Sequence, residues 1–559
     1  MKKSILAAAL LFLMGSAFCQ NTLPFTKGIN MLTYFETWTE DELPNMNKHD
    51  EADFACLKSM GVDVIRLPVQ FDFLMEPVNT GTINELALER LDQVCDWAEK
   101  YQIYLVIDNH SFNAPEYGRN PPSLEQYQEH LEAVWSQVAP RYNNRSKYII
   151  YEILNEPKLK ENTDSKWYKV QQSIIDTIRK YDPTRDIVVT GASSYVDTLL
   201  KIKPYKDPNL IYTLHYYEPH IFTHQGASWC GPEYTDLEGL PFPYDRKRLP
   251  KLKGKAKNSF IQDYIQNRYS TEGTVKYINS SIKKAADWAK KNNIRVWCGE
   301  MGANVWINST DRLAWINATR TALEDNNIPY CIWGIDGGFG FLESESSRLI
   351  FPDDIDTVAL EAYGFSKPEP DLAEKASLNI NVQKPYLVFD GIAGKWVSKE
   401  TWGNIKVTKA DEAHNYCLTV SYPNESNGCR FTLPNKIASK IAENTQAFSV
   451  SFAVKFTDKN QQFNLCLRDS DKGAEALPWS KGYTIKASDY KVGEWVTVEI
   501  PISDFSDIYG AFSDVTKKYY DSPCDFNWSR FEALYFNFDN FGGKNTGTIY
   551  IDDIVIKKK

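Results

Sequence analysis

Over residues 25–365, short apolar runs alternate with stretches whose apolar residues recur at helical spacing. The runs are 28–31, 62–67, 104–108, 148–154, 187–190, 210–215, 295–299 and 330–333. Each is too short for a buried helix and nearly continuous in apolar residues, which predicts strands covered on both faces. Between them, Leu88, Leu91, Val94, Cys95 and Ala98 share one helical face, as do Val275, Ile278, Ile282, Ala285 and Ala289. Trp167, Val170, Ile174 and Ile178 form a third face, behind capping candidates at 162–164. Eight strands, each followed by a helix, predict an α/β fold, a (β/α)₈ barrel. A doubly wound open sheet is the alternative, but no glycine-rich phosphate loop follows the first strand.

A long segment, 216–274, interrupts the alternation after the sixth run and carries Trp229, Tyr234, Phe242 and Tyr244. Insertions of this length are usually functional or disordered; this one is expected to project from the open end of the barrel and wall one end of a cleft, with a plain surface excursion as the alternative. Residues 366–385 are charged, Pro-bearing and aperiodic, a linker between a first domain at 22–365 and a second at 386–559. Beyond the linker, 448–456, 463–467, 495–500, 533–538 and 548–556 are short or alternating, with Gly, Asp and Asn between them. That texture predicts a smaller antiparallel β-sandwich.

Size changes the picture little: 559 residues exceed one ordinary core, and 43 % hydrophobic content is that of a globular chain. Lys2 and Lys3 precede an almost wholly apolar run at 5–18, with Ala17 and Cys19 three and one residues before a cut site. The run is shorter than the roughly 20 residues a bilayer span needs, so 1–19 reads as an export signal. Lipidation at Cys19 is the alternative, with Phe18 bulkier than such sites usually take. The expected product is exported, monomeric and without a membrane span. Losing Lys2 and Lys3 takes the net charge from −10 to −12, which argues against nucleic acid as a partner. The one basic run, 246–257, has seven Lys or Arg residues and few aromatics, as a solvated loop does. The cysteines form no CxxC pair; Cys95, Cys298 and Cys331 fall at core positions, and Cys417 with Cys429 could bridge a hairpin.

The chemistry lies at the ends of the apolar runs. Run 148–154 ends in Asn155-Glu156-Pro157, and run 295–299 leads into Glu300, 144 residues after Glu156. A carboxylic acid directly after a buried strand is poor core chemistry and good active-site chemistry. Two such acids at strand ends are what a retaining glycosidase needs, one to protonate the leaving oxygen and one to attack the anomeric carbon. Arg66, His110, His215, Tyr217 and Trp333 follow other runs. Taken singly, each reads as a core ion pair or a satisfied core residue; together, beside two Glu, they read as a site. His220 and His224 have the i, i+4 spacing of a metal pair, but no Glu lies between them as a HExxH site requires, and no third ligand is evident.

On Gly28-Ile29-Asn30, Ile65-Arg66-Leu67-Pro68, Asp108-Asn109-His110, Leu154-Asn155-Glu156-Pro157, His215-Tyr216-Tyr217, Gly299-Glu300 and Trp333, the chain resembles glycoside hydrolase family 5 across the whole first domain. The resemblance implies Glu156 as acid/base and Glu300 as nucleophile, with Arg66 and Tyr217 holding Glu300. It implies Asn155 on the 2-hydroxyl of the sugar, His110 and His215 on sugar hydroxyls or the carboxylates, and Trp333 as a floor for the ring. Trp306 and Trp229 are weaker candidates for neighbouring subsites, and His224 for the cleft. The second domain resembles jelly-roll, carbohydrate-binding-like modules, through its closing strand at 547–554 and Leu477-Pro478-Trp479. That likeness makes Trp396, Trp402, Trp479 and Tyr509 candidates for stacking on glycan, and Asp390 with Asp552 or Asp553 candidates for a structural calcium.

The function expected is a retaining endo-β-glycanase that needs no cofactor and takes β-glucan, an endo-β-1,4-glucanase on cellulose-like or mixed-linkage chains. β-Mannanase or xyloglucanase activity is the alternative on the same residues, and a non-catalytic glycan-binding barrel is the alternative of another class.

Overall fold

Eight parallel strands close on themselves in the computed structural model, which describes residues 22–37, 43–112, 120–159, 164–342, 350–411, 414–422, 426–470, 477–513, 515–539 and 545–559. The export-signal reading at 1–19 and the capping candidates at 162–163 lie outside the described residues. The barrel strands are β1 (Lys27–Asn30), β2 (Val64–Val69), β3 (Tyr104–Asn109), β4 (Ile149–Glu152), β5 (Ile187–Thr190), β6 (Leu210–Tyr216), β7 (Arg295–Met301) and β8 (Tyr330–Ile332). They pair in chain order, and β8 closes on β1. Their runs are continuous in apolar residues because helices cover the outside and packed side chains fill the inside.

The expected amphipathic faces are the buried ones. In α2 (Glu85–Tyr101) all five named residues are buried. In α4 (Asp164–Tyr181), which like α1 (Glu51–Ser59) and α3 (Leu124–Tyr142) covers a strand, Trp167, Val170, Ile174 and Ile178 are buried. After the one-turn α5 (Val196–Leu199), α6 (Val275–Asn292) departs from expectation at its first residue: Val275 stays 39 % exposed, ahead of the turn that packs. Side chains cap the starts, Asn84 on Ala87 N–H for α2, Thr274 on Tyr277 N–H for α6, and a Ser123/Gln126 capping box for α3. The ring is completed by α7 (Ser309–Asp325) and α8 (Thr357–Ala362).

Register decides what the open end presents. Arg66 lies beside Asn30 of β1, and Asp108 beside Glu152 of β4. Ladder pairing of β4 ends at Glu152, earlier than the expected 154, yet the Ile153 and Asn155 N–H groups still donate to Val188 O (3.2 Å) and Asn109 O (2.9 Å). Those two bonds carry the chain past the ladder with Asn155 and Glu156 on a tethered turn. At the opposite end Phe25, Val64, Tyr104, Ile211 and Trp297 pack into a closed apolar floor.

The chain divides into two compact units, one of Met1–Glu36, Glu51–Glu345 and Asp354–Ala373, the other of Thr37–Asp50, Ser346–Asp353 and Glu374–Lys559. Within 366–385, read from the sequence as a linker, Pro370–Ala376 is helical. Besides a two-stranded sheet that pairs Ala511–Ser513 with Lys518–Tyr520, the second unit holds two six-stranded antiparallel sheets. One contains β9 (Tyr386–Phe389), β11 (Ile405–Lys409), β12 (Tyr416–Ser421), β14 (Phe448–Phe456), β17 (Trp495–Pro501) and β20 (Thr548–Lys558). The other contains β10 (Ser398–Trp402), β13 (Gly428–Thr432), β15 (Gln462–Asp469), β16 (Ser480–Lys486), β18 (Ser506–Asp507) and β19 (Phe531–Asn537). The hairpin bridge considered for Cys417 and Cys429 does not form: the two lie on different sheets, and Cys417 sits beside Thr419 (3.8 Å) on the face of β12 opposite Leu418 and Val420, whereas Cys429 packs in the core. A helix at Asn435–Glu443, unforeseen from the sequence, buries Ile437, Ala438 and Ile441.

Of the four aromatics considered for glycan stacking, Trp479 is buried, Trp396 is half-buried under the Lys48 ammonium (4.8 Å) and Trp402 lies half-buried against Tyr535 (5.3 Å). Tyr509 is 59 % exposed. Among the described residues, no helix is long and apolar enough to cross a membrane. Truncating Trp297, fully buried in the floor, should destabilise the barrel by about 3–5 kcal/mol. Trp297→Ala should therefore show a clearly lower urea midpoint; an unchanged midpoint would mean the floor does not hold the barrel together.

Candidate active site

Arg66 stands at the centre of the open end with no exposed surface. Its Nε and Nη2 grip the two carboxylate oxygens of Glu152 (2.7 and 2.9 Å), and Nη1 reaches Glu300 Oε1 (2.8 Å) and Asn30 Oδ1 (3.1 Å). Nη2 also meets Asn155 Oδ1 and Asp108 Oδ2, each at 3.0 Å. Burial works against the guanidinium charge, but Asp108, Glu152 and Glu300 outweigh it and keep the group protonated.

Glu300 and Glu156 face each other with different surroundings. Glu300 is buried at the end of β7, with Arg66 on one oxygen and the Tyr217 hydroxyl on the other (2.9 Å). Glu156 keeps 37 % of its side chain exposed and accepts from His215 Nδ1 at 2.6 Å. An oxygen of each carboxyl lies within 4.8 Å of the other and of a His215 ring nitrogen. Burial raises both carboxyls above the ordinary range; Arg66 pulls on both, and the charge of Glu156 adds to the rise at Glu300. The effect on Glu156 is the smaller in practice, because water still reaches it. Its backbone is strained: φ is +25°, in the half of the map that L-residues avoid, and Pro157 follows.

His215 is buried, which lowers its pKa to about 4 and leaves the ring neutral near pH 7. The proton then sits on Nδ1, donated to Glu156, while Nε2 has no hydrogen-bond partner. Gly299 lies against that nitrogen: a Cβ there would stand 3.2 Å from it and 2.8 Å from Thr213 Oγ1. Only glycine lets the ring lie this close to β7.

The remaining expected residues converge on the same place. His110 Nδ1 donates to Asp108 Oδ2 (2.6 Å), and Asn155 Nδ2 stands 3.4 Å from His110 Nε2. Trp333, half-buried just past β8, holds its position through its N–H on Met301 O (2.8 Å) and stacks on His110, centroids 5.6 Å apart and 22° off parallel. All eight expected residues therefore meet at one end of one barrel. Four that hold them had no expected role, Asp108 among them. Glu152 and Asn30 fix Arg66, and Glu36, also buried, approaches His110 Nε2 at 4.0 Å. Glu152 had a legible signal, since a carboxylate inside an apolar strand must be paired.

The long segment contributes both expected and unexpected parts. Trp229 and Trp306 are 58 % and 59 % exposed, with rings 5.9 Å apart. Tyr234 and Phe242 are instead buried, and the basic run at 246–257 is surface, its Arg248 tied to Asp311. In the second unit, the calcium candidate Asp552 accepts from His414 Nδ1 (2.9 Å), with Asp553 3.5 Å from the same nitrogen, while Asp390 accepts from Asn47 Nδ2 (2.9 Å). Calcium takes six to eight oxygens; a cluster of one imidazole and two carboxylates does not fit it.

A closed (β/α)₈ barrel with two carboxyls facing each other across the ends of β4 and β7 defines the class of barrels built around an acid pair. A family model, cellulase (glycosyl hydrolase family 5), matches residues 23–338, more than half of the chain, and the chain belongs to that family. Endoglucanase 3 of Fibrobacter succinogenes is 32 % identical over 339 residues, covering 57 % of this chain and 50 % of that protein. Endoglucanase C of Acetivibrio thermocellus is 25 % identical over 321 residues, 55 % of this chain and 90 % of its own. The chain thus spans about half the length of the first of these relatives and most of the second. Among solved structures, the cellulose synthase subunit Z of Clostridioides difficile aligns at 26 % identity with a TM-score of 0.49, over 61 % of this chain and 99 % of that one.

Burial pushes Asp108 up to about 7, above its value of about 3.9 in an unfolded chain. The folded state then holds a proton that the unfolded state has lost, so stability contributed at low pH is lost as pH rises from about 4 to about 7. Asp108→Asn should flatten that fall in a series of urea unfolding curves; a slope equal to that of the parent would show that Asp108 does not hold the proton.

Proposed function

We propose that the chain is a retaining endo-β-1,4-glucanase acting on cellulose-like or mixed-linkage β-glucan. The observation that carries this reading is the spacing of the acids, with oxygens of Glu156 and Glu300 within 4.8 Å. Retaining enzymes place the pair about 5–5.5 Å apart, whereas inverting ones leave about 6.5–9.5 Å for a water. In the first step Glu300 attacks the anomeric carbon while Glu156 gives its proton to the departing glycosidic oxygen. In the second, Glu156 takes a proton from water as that water displaces the Glu300 ester. The differing partners suit the two roles: Arg66 and Tyr217 hold Glu300 oriented and ready to be anionic, and the more open Glu156 can exchange protons with water. Esterification removes the charge of Glu300, so Glu156 ionises more readily for its second task. Trp333 supplies a flat apolar face for a pyranose ring. The curated relatives' names support glucan as the polymer, and a polymer too large to enter a cell agrees with an export signal at 1–19.

Glu300→Ala should lose turnover and be rescued by azide as a glycosyl azide of inverted configuration. Glu156→Ala should keep activity only on substrates whose leaving group needs no proton, and azide should there give the retained product. The reverse pattern would show that acid and nucleophile are exchanged. Product analysis of the parent on carboxymethyl-cellulose, barley glucan, glucomannan and xyloglucan decides the substrate; preference for either of the last two overturns the glucanase assignment.

A further inference from the structure

His220, His224 and Cys230 lie in the long segment after β6, outside the acid pair and its supports. His220 opens a one-turn helix, His220–Thr223, and His224 caps it, so the two imidazoles stand one above the other, centroids 3.7 Å apart and 9° from parallel. From the sequence this pair lacked a third ligand. The fold supplies one ten residues on: the turn Ser228–Cys230 brings the Cys230 sulfur back, and the three donor atoms all lie within 4.8 Å of one another. Gly231, at φ +109°, makes the sharp exit that leaves Cys230 facing the pair.

The hydrogen bonds prepare the donors. Thr223 Oγ1 spends its proton on Tyr217 O (2.7 Å), so it accepts from His224 Nδ1 (2.9 Å), and the lone pair of His224 is left on Nε2. His220 Nδ1 lies 2.9 Å from the Tyr234 hydroxyl oxygen; in the tautomer where it donates its N–H there, the lone pair on Nε2 is left to ligate as well. An imidazole whose second nitrogen is anchored in this way is oriented as metal-bound histidines are. Cys230 is half-buried, one of two described thiols with access to solvent, the other being Cys524.

The geometry points to a binding site for a thiophilic divalent cation, of the zinc or cobalt type, at His220, His224 and Cys230, whose occupation inhibits the enzyme. Two imidazole nitrogens and a thiolate are ligands for such ions and not for calcium or magnesium. Binding releases the thiol proton to solvent as the metal–sulfur bond forms. Parallel in-plane lone pairs do not meet, so the rings must tilt toward each other, which the soft terminal torsion of histidine permits. That tilt is the route to inhibition: the His224 ring packs edge-on against Tyr217 at 5.2 Å, and Tyr217 is the hydroxyl partner of Glu300. The inhibitory half of the inference rests on the hydrolase reading above, while the binding half does not.

Cobalt(II) added to the full chain should give thiolate-to-metal charge-transfer absorption in the near ultraviolet. The band should vanish in Cys230→Ser, weaken in His220→Gln and persist in Cys524→Ser, each variant first checked for native circular dichroism. Zinc should displace the band and inhibit hydrolysis of a soluble glucan. Cys230→Ser should keep the basal rate and raise the half-inhibiting zinc concentration by about tenfold or more. No band, or one that follows Cys524, overturns the site. A band displaced by zinc without inhibition overturns the coupling to Tyr217. If no glucan is hydrolysed at all, the proposed function fails while the cobalt spectrum still reads the site.

Discussion

One buried guanidinium sets the geometry of everything at the open end of the barrel. Arg66 has no contact with water, and a lone cation there would cost several kcal/mol in desolvation. Asp108, Glu152 and Glu300 offset that cost, and each also fixes a further element. Through Asp108 the network reaches His110 and then Trp333; through Asn155 it reaches the turn that presents Glu156; through Glu300 it reaches Tyr217. Removing the cation would leave three buried carboxyls facing one another, so the network stands or falls as a unit.

From that shared support the two acids acquire opposite characters. Glu300 is enclosed and both its oxygens are engaged, so its orientation is fixed. Glu156 is open on one side, touches Arg66 only through its field, and takes its one close contact from a neutral imidazole. Its strained backbone has a local origin: the turn must leave β4 while Asn155 stays bonded to Asn109 and to Arg66, and Pro157 then removes the conformations that would relieve it.

Much of this was legible in the chain, for reasons that differ by element. Apolar runs of strand length mark the staves because a barrel strand is buried on both faces, and polar residues closing those runs mark the open end. Glu152 lies inside such a run rather than at its end, and its mark is that a carboxylate among apolar neighbours must be paired. The third ligand at Cys230 was invisible because it depends on a tight turn, not on spacing. In the second unit, apolar alternation revealed strands but not which sheet each joins, and sheet and facing together keep Cys417 from Cys429. Aromatic residues there announced surface and core alike; Trp479 and Tyr509 have the same apolar signature and opposite fates.

The network's saturation also places specificity elsewhere. Arg66 has every donor matched to an acceptor, Glu152 spends both oxygens on Arg66, and His110 and Asn155 are largely engaged with each other and with the charges beneath. Groups so committed can hold the acids but have little left to distinguish one sugar from another. Discrimination needs surfaces that water still touches and that differ among barrels of the same plan. On the proposed function these would be the face of Trp333, the exposed indoles Trp229 and Trp306, and the long segment that carries Trp229. A cation that drew His220, His224 and Cys230 together would act on that same segment. It would thus reach the acid pair from the side of the long segment, through Tyr217, and not through the saturated centre.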